Sequence, residues 1–282
     1  MMGSMWLLFL IIVIPMIIYL IAIMTKVATA PMDNSPLNPL LVEEIKKCAE
    51  LSSLAYDNIP GATYINDPTG QYDAATYMFQ QGHKVYIVFK GTSNNKDVKQ
   101  DLNRDLVEIS SGIMVHEGMY NSYKSVQPII METLASYKNY NRIISTGHSL
   151  GAGFATINTY YLLDNEKRVE CYTYGCPRVG NYNFAKLFEG RDNMIRIYDF
   201  TDPVPMVPTN SNYFHTFNKS MCINGTGHYD YKPRDHYPSI SRQFFIFLIT
   251  KWNNRFDTHD ISTYISHIDK LPTYKPDYKT NN

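Results

Sequence analysis

The stretch RIISTGHSLGAGFA, residues 142–155, decides how this sequence is interpreted. Its first half is an apolar run typical of a strand, and its second half is typical of a helix. Between them lies Gly147-His148-Ser149-Leu150-Gly151, a G-x-S-x-G motif. The two glycines leave room for a tight strand-to-helix turn that exposes the serine hydroxyl. The sequence therefore predicts that Ser149 is a nucleophile and that the Leu150 N–H faces the oxyanion formed when it attacks a carbonyl.

Strands and helices alternate along the rest of the chain. The run Val85–Phe89 is continuously apolar, as expected of a strand buried on both faces. Apolar residues at helical spacing predict a helix over residues 41–55, which Asn38-Pro39 opens. Further strands are predicted at 77–79, 142–146, 169–174 and 194–198, and further helices at 122–137, 150–163 and 182–188. The alternation predicts an α/β fold with a mostly parallel sheet and helices on both faces.

A nucleophilic serine needs a basic histidine, and the histidine needs an acidic residue that orients it. With an elbow of this kind the order along the chain is serine, acid, histidine. Asp202 lies just past the predicted strand 194–198, at its carboxyl end, and is favoured as the acid over Asp199, which borders the strand. The histidines that follow are His215, His228, His236, His259 and His267, and spacing alone does not choose among them.

Seven motifs, in order between about residues 40 and 270, resemble those of the class 3 lipases, the family of fungal-type triacylglycerol lipases. They are LSSLAY at 51–56, FKGT at 89–92, DLNRDL at 101–106, VHEGM at 115–119, GHSLG at 147–151, YGCPRVGN at 174–181 and DPVP at 202–205. Lys90 replaces the family's arginine, and Leu102 replaces its tryptophan. The resemblance implies the α/β-hydrolase fold over residues 40–271 and chemistry that needs no cofactor and no metal.

The same resemblance assigns roles to further residues. The family's last motif, H-x-x-x-x-Y, matches His259–Tyr264 and implies that His259 is the base, with His228 or His236 as the next candidates. Thr92, which follows FKG, is implied as the second oxyanion donor beside Leu150. Other positions are implied to be structural: Asp105 would fix the oxyanion loop, and His116, His148 and His215 would not be catalytic.

Residues 93–107 correspond to the lid of the family. Val98, Leu102 and Leu106 follow one another at i, i+4 and i+8, which predicts a helix with a narrow apolar stripe facing the site. An ordinary surface helix would have the same pattern. Because the tryptophan is missing, activation at a lipid–water interface stays open.

Residues 1–30 differ from the rest of the chain. From Met5 to Met24 there are twenty residues without a charge, about the length that crosses a bilayer. Ala28-Thr29-Ala30 is an A-x-A pattern, so a cleaved signal peptide is the alternative to a signal anchor. Both predict the secretory pathway, with the protein held in a membrane or secreted. A linker is predicted at 31–39 and a disordered tail at 272–282.

The charge of the chain bears on its binding partners, and its cysteine content bears on whether it forms disulfides. The 26 basic residues equal the 26 acidic ones and form no run, so nothing in the sequence suggests a nucleic-acid partner and none is expected. The four cysteines, whose spacing matches no metal site, could form up to two disulfides or remain as buried thiols. They are Cys48, Cys171, Cys176 and Cys222.

Together the motifs and the resemblance imply a serine carboxylic-ester hydrolase that acts on lipid esters through an acyl-enzyme. A triacylglycerol lipase is the first expectation. A phospholipase A1 or an esterase for soluble esters would use the same fold. A catalytically inactive lipid-binding module is a more remote alternative.

Overall fold

The computed structural model describes most of the chain. The described residues are 14, 15, 18, 19, 34–92, 105–165, 167–199, 201–209, 211–217, 219–223, 225–227, 229–232 and 257–274. Among the helices in this part of the chain, none has the length and apolar character needed to cross a bilayer. Most of the predicted segment Met5–Met24 lies outside the described residues.

A central sheet organises the described domain. Its strands are β1 Thr63–Asn66, β2 Ala75–Gln81, β3 Lys84–Phe89, β6 Arg142–His148, β7 Arg168–Tyr174, β8 Met194–Asp199, β9 Lys219–Ile223 and β10 Tyr229–Lys232. They pair in the order β1-β2-β3-β6-β7-β8-β9-β10. Four neighbouring pairs are parallel, namely β3–β6, β6–β7, β7–β8 and β8–β9. The pairs at the two edges, β1–β2, β2–β3 and β9–β10, are antiparallel. The prediction of a mostly parallel sheet is confirmed.

Helices cover both faces of the sheet. They are α1 Pro39–Leu54, α2 Glu117–Ser136, α3 Leu150–Tyr161, α4 Tyr182–Lys186 and α5 Ile261–Ile268. One core cluster contains residues of α2 and α3, and the other contains residues of α1 and α5. Successive side chains of β3 enter the two clusters in alternation, with Ile87 in the first and Tyr86 and Val88 in the second. This two-sided burial explains why the strand is continuously apolar.

The parallel arrangement brings the ends of four strands to one edge of the sheet. Phe89, His148, Tyr174 and Asp199 are the last residues of β3, β6, β7 and β8. Ligands of open α/β sheets bind outside the carboxyl ends of the strands. The fold therefore gathers the loops that follow these four strands into one place.

A two-stranded hairpin replaces part of the predicted lid helix. Its strands are β4 Leu106–Ser110 and β5 Ile113–His116. Leu106 lies opposite His116 in this antiparallel pair, so the helical spacing does not continue through Leu106, and the prediction is wrong at that residue. Cross-strand hydrogen bonds with β5 override the local helical pattern. Val98 and Leu102 lie outside the described residues.

The two predicted terminal segments meet in the structure. Leu37, which is buried, forms a parallel bridge with Thr273. The Leu37 N–H donates to the Pro272 carbonyl at 2.8 Å, and the Tyr274 N–H donates to the Leu37 carbonyl at 3.2 Å. Leu37 of the predicted linker is therefore hydrogen-bonded to residues 272–274, which begin the predicted tail.

The four cysteines are buried thiols and none is in a disulfide. Burial raises the pKa of the Cys176 thiol to about 12. The thiol of Cys48 is likewise held protonated, since burial raises its pKa well above the usual value. Of the two states left open by the sequence, the structure has the thiols.

Candidate active site

Ser149 occupies the turn between β6 and α3. Its backbone has φ 59° and ψ −127°, an uncommon left-handed conformation for a residue with a side chain. A Cβ at Gly147 would clash with Gly151, and a Cβ at Gly151 would clash with the Phe89 carbonyl. The glycines of the motif therefore let strand, helix and the end of β3 meet closely. The Ser149 N–H donates to the Tyr174 carbonyl at 3.0 Å, which ties the turn to β7.

Asp202 and His259 come from two other parts of the chain and meet at this turn. Asp202 follows β8, and His259 ends a 3-10 turn just before α5. His259 Nδ1 lies 2.8 Å from Asp202 Oδ2, and His259 Nε2 lies 2.8 Å from Ser149 Oγ. All three side chains are buried. With Nδ1–H donating to the carboxylate, Nε2 is left to accept the serine proton, which is the arrangement required of a base and its orienting acid.

Asp202 is held by two further hydrogen bonds. Its Oδ1 accepts the Val204 N–H at 2.8 Å, and its Oδ2 accepts the Tyr264 hydroxyl at 2.6 Å. Burial first, and then the carboxylates of Asp202 and Asp199, raise the pKa of Tyr264 well above its usual value, so it stays a donor. In the sequence, Tyr264 was indicated only as the tyrosine of the H-x-x-x-x-Y motif. Its contact with the acid becomes visible in the fold.

His148 supports His259 from one side. The two rings lie 4.5 Å apart between centroids. His148 Nε2 lies 2.7 Å from the His259 carbonyl, and His148 Nδ1 lies 2.8 Å from the Tyr56 hydroxyl. Burial, and secondly His259, lower the pKa of His148 well below 6.5, so its ring is neutral. Nε2 then donates to the carbonyl and Nδ1 accepts from Tyr56. The sequence did not indicate Tyr56 as a partner of this histidine.

Thr92 lies in the loop after β3, beside the elbow. The loop and the elbow pack closely, because a Cβ at Gly91 would clash with both Tyr56 and the His148 carbonyl. Thr92 Oγ1 is buried and has no hydrogen-bond partner within the described part of the protein. Leu150 begins α3, where the first N–H groups and the helix dipole favour negative charge. Both residues can thus serve an oxyanion above Ser149.

The remaining candidates lie elsewhere. Asp199 bonds His267 and Thr201 instead of His259, and His215 is a separate buried histidine. His228 and His236 lie outside the described residues. Within those residues no cluster of His, Cys, Asp or Glu has the arrangement needed to hold a metal ion.

Comparisons with known proteins agree on one family. The family described as lipase (class 3) matches residues 86–212. A lipase of Rhizopus oryzae is 32% identical over 155 residues, or 50% of this chain and 39% of the relative. A "Secreted mono- and diacylglycerol lipase 1" of Fusarium solani is 29% identical over 131 residues, or 44% of this chain and 39% of the relative. The chain thus spans 39% of the length of these curated relatives.

A solved structure extends the likeness to the fold. It is a triacylglycerol lipase whose catalytic centre is described as a serine protease triad, and it is 25% identical with a TM-score of 0.61. The match covers 71% of this chain and 89% of that one. Residues 86–212 thus match the class 3 lipase family, and the described domain has the α/β-hydrolase fold that this solved lipase shares.

Proposed function

We propose that the protein is a serine carboxylic-ester hydrolase that acts on lipid esters. The observation that carries this proposal is the buried hydrogen-bonded chain from Asp202 through His259 to Ser149, with 2.8 Å at each step, on a strand-to-helix turn. A serine activated in this way attacks acyl carbonyls. The relatives named above are lipases by name, which supports a lipid ester as the substrate.

The geometry supports a two-step mechanism. His259 Nε2 takes the proton of Ser149 Oγ as the oxygen attacks the acyl carbonyl, and the oxyanion is held by the Leu150 N–H together with Thr92. His259 then gives that proton to the leaving alcohol, and an acyl-serine remains. Water, activated by the same histidine, attacks the acyl-serine and releases the fatty acid and the free serine. Ester and water are thereby converted to alcohol and acid, and every proton passes through His259.

Among lipid esters, triacylglycerol is the proposed substrate. Support comes from the solved relative described as a triacylglycerol lipase and from the relative named for mono- and diacylglycerol.

We also propose that the chain enters the secretory pathway, on the basis of the apolar segment Met5–Met24 and of the relative named as secreted. Whether that segment anchors the protein or is cleaved is decided by N-terminal sequencing of the mature protein.

Substrate preference tests the proposal directly. The full chain and its Ser149→Ala variant would be assayed on emulsified long-chain triacylglycerol, on a phospholipid and on a soluble short-chain ester. We expect release of fatty acid from the emulsion by the wild type, and a loss of at least about 10⁴-fold in kcat in the variant, because the residual rate would come from binding and the oxyanion donors alone.

Each alternative has its own outcome. Cleavage of the soluble ester alone would keep the three-residue mechanism and move the function to an esterase. Cleavage of phospholipid at the first acyl position, without triacylglycerol, would indicate a phospholipase A1. Binding of lipid vesicles without any hydrolysis would identify an inactive lipid-binding module and overturn the proposal.

A further inference from the structure

A second histidine–aspartate pair lies beside the proposed catalytic acid. His267 Nδ1 lies 2.8 Å from Asp199 Oδ2. Asp199 is the last residue of β8 and is buried, and the His267 side chain is only 18% exposed. The proposed mechanism uses neither residue. A buried carboxylate that keeps its charge needs hydrogen-bond donors, and here a histidine supplies one of them.

The other atoms of Asp199 hold the loop that leads to Asp202. Its Oδ1 accepts the Thr201 N–H at 2.7 Å and the Thr201 hydroxyl at 2.6 Å. Its carbonyl accepts the Asp202 N–H at 3.3 Å. The carboxylate of Asp199 thus fixes the turn from which Asp202 projects, and His267 fixes the carboxylate.

A direct contact joins this pair to the catalytic acid. The Asp199 N–H donates to the Tyr264 hydroxyl oxygen at 3.0 Å, and the same hydroxyl donates to Asp202 Oδ2 at 2.6 Å. Asp202 Oδ2 is also the atom that faces His259 Nδ1. A displacement of Asp199 would therefore move the Tyr264 hydroxyl, and through it the hydrogen bond between His259 and Asp202.

Tyr264 and His267 lie three residues apart on α5, so they project from one face of the helix. His259 lies two residues before the first residue of this helix, and Asp260 between them caps it. The helix thus contacts the loop 199–202 at two points and delivers the base at its own start. On its far side the His267 ring is confined, because a Cβ at Gly225 would lie 3.0 Å from Nε2.

We propose that His267 is a positioning residue for the catalytic acid: through Asp199 and Tyr264 it sets the place of Asp202 against His259. This rests on the proposed function, since it assumes that the Asp202–His259 pair works on Ser149. A purely structural role would stabilise α5 without changing the rate at which a folded active site reacts.

Two near-isosteric variants separate these roles. In His267→Asn the amide nitrogen replaces Nδ1 and can still donate to Asp199, whereas in His267→Gln it replaces Nε2 and cannot. We expect kcat on a soluble ester to stay within about twofold of wild type for H267N and to fall by about tenfold for H267Q, with KM unchanged, since misplaced catalytic groups slow the reaction without weakening binding. His83→Gln is the matched control, because His83 is exposed and its Nδ1 lies 2.9 Å from the Asn139 carbonyl, far from the site in the fold.

Labelling of Ser149 by a fluorophosphonate gives a second measurement that needs no lipid. Its rate is expected to follow kcat across the variants, and Asp199→Ala combined with H267Q is expected to lose no more than Asp199→Ala alone, because the two residues act as one unit. Unchanged kcat and labelling in H267Q, equal losses in H267N and H267Q, or additive losses in the double variant would overturn the proposal. If the wild type itself neither hydrolyses esters nor is labelled, the proposed function fails and this inference falls with it.

Discussion

At the end of β7, Gly175 adopts a φ of +57° and lies against the bond between His259 and Asp202. A Cβ at this position would lie 2.9 Å from Asp202 Oδ2 and 3.0 Å from His259 Nδ1. Such distances are at or below the limit of real Cβ contacts, so the pair occupies the space that a side chain would need. The motif YGCPRVGN indicated this glycine, and the fold supplies the steric reason.

Gly175→Ala is therefore expected to lower kcat on a soluble ester by about a hundredfold, because shifts of about 1 Å in reacting groups have effects of that size. Gly82→Ala is the matched control, since Gly82 has the same φ of +57° and open space around it. Both variants are expected to lose roughly 1 kcal/mol of stability from left-handed backbone strain. Thermal unfolding and steady-state kinetics measure the two effects, and equal activity losses would contradict the steric explanation.

The proposed role of Thr92 as an oxyanion donor would set function against stability at a single atom. Its buried hydroxyl oxygen lacks a partner within the described residues, and an unmade hydrogen bond of this kind costs about 1–3 kcal/mol. An oxyanion would supply the missing partner during the reaction. An unsatisfied Thr92 hydroxyl that lowers stability is what one expects of a donor positioned for the oxyanion of a transition state.

Thr92→Val is expected to lower kcat by about a hundredfold or more while raising the unfolding temperature, because it removes both an oxyanion donor and an unsatisfied hydroxyl. The control Thr159→Val removes a buried hydroxyl that donates to the Ala155 carbonyl at 2.7 Å. It is expected to lower the unfolding temperature and to leave kcat unchanged. A Thr92→Val variant that keeps its activity would exclude the hydroxyl from the oxyanion hole, leaving only the backbone N–H.

At the scale of elements, the bridge between Leu37 and Thr273 joins the entry to α1 with the exit from α5. Two backbone hydrogen bonds form this connection, one to Pro272 and one from Tyr274. Helix α5 positions His259, Tyr264 and His267, so its exit is part of the framework of the site. Residues 272–274 lie at the start of the predicted disordered tail, and there backbone hydrogen bonds pair them with a segment that is distant in sequence.

Truncation should separate the paired residues from those that follow. A chain ending at Leu271 loses both hydrogen bonds, and we expect it to lose about 2 kcal/mol of stability and several degrees in unfolding temperature. A chain ending at Tyr274 keeps both hydrogen bonds and is expected to unfold like the full chain. Differential scanning calorimetry of the three proteins measures this. Equal unfolding temperatures for all three would show that the bridge contributes nothing to stability.

At the scale of the whole molecule, two buried histidines make stability depend on pH. Burial first, and then Arg196 and Arg178, lower the pKa of His215 well below 6.5, and His148 is lowered likewise by burial and His259. Above the ordinary value of 6.5 both folded and unfolded states are neutral at these positions. Below pH 6.5 these histidines bind protons in the unfolded chain but stay neutral in the folded protein, so the free energy of unfolding falls as the pH decreases.

Each such histidine is expected to contribute a slope to the free energy of unfolding that rises from about 0.7 kcal/mol per pH unit at pH 6.5, where the unfolded imidazole is half protonated, towards about 1.4 near pH 5.5. His215→Gln is expected to remove the contribution of one histidine, up to about 1.4 kcal/mol per pH unit, from this slope. Urea unfolding of the wild type and the variant at pH values from about 7 to 5 measures the difference. If the slope of the His215→Gln variant equals that of the wild type, His215 takes up its proton without unfolding.

The sequence alone determined what depends on neighbouring residues. The glycines around Ser149 indicate a turn because the motif lies within five successive residues, and the apolar run of β3 indicates a strand buried on both faces because its period is visible in five successive side chains. Local pattern failed at Leu106, where pairing with His116 across the hairpin made a strand. Helical and strand periods cannot be separated reliably over so few apolar residues.

Only the tertiary structure decided which distant side chains meet. His259 lies 110 residues from Ser149 and 57 from Asp202, and five histidines satisfied the same order along the chain. The family motif favoured His259, but the fold alone brings its two nitrogens within hydrogen-bond distance of both partners. Tyr56, Gly175 and His267 gain their importance in the same way. Hydrogen bonds and steric contacts act over a few ångströms in space, and the crossovers of the parallel sheet, which no local pattern records, determine which residues come that close.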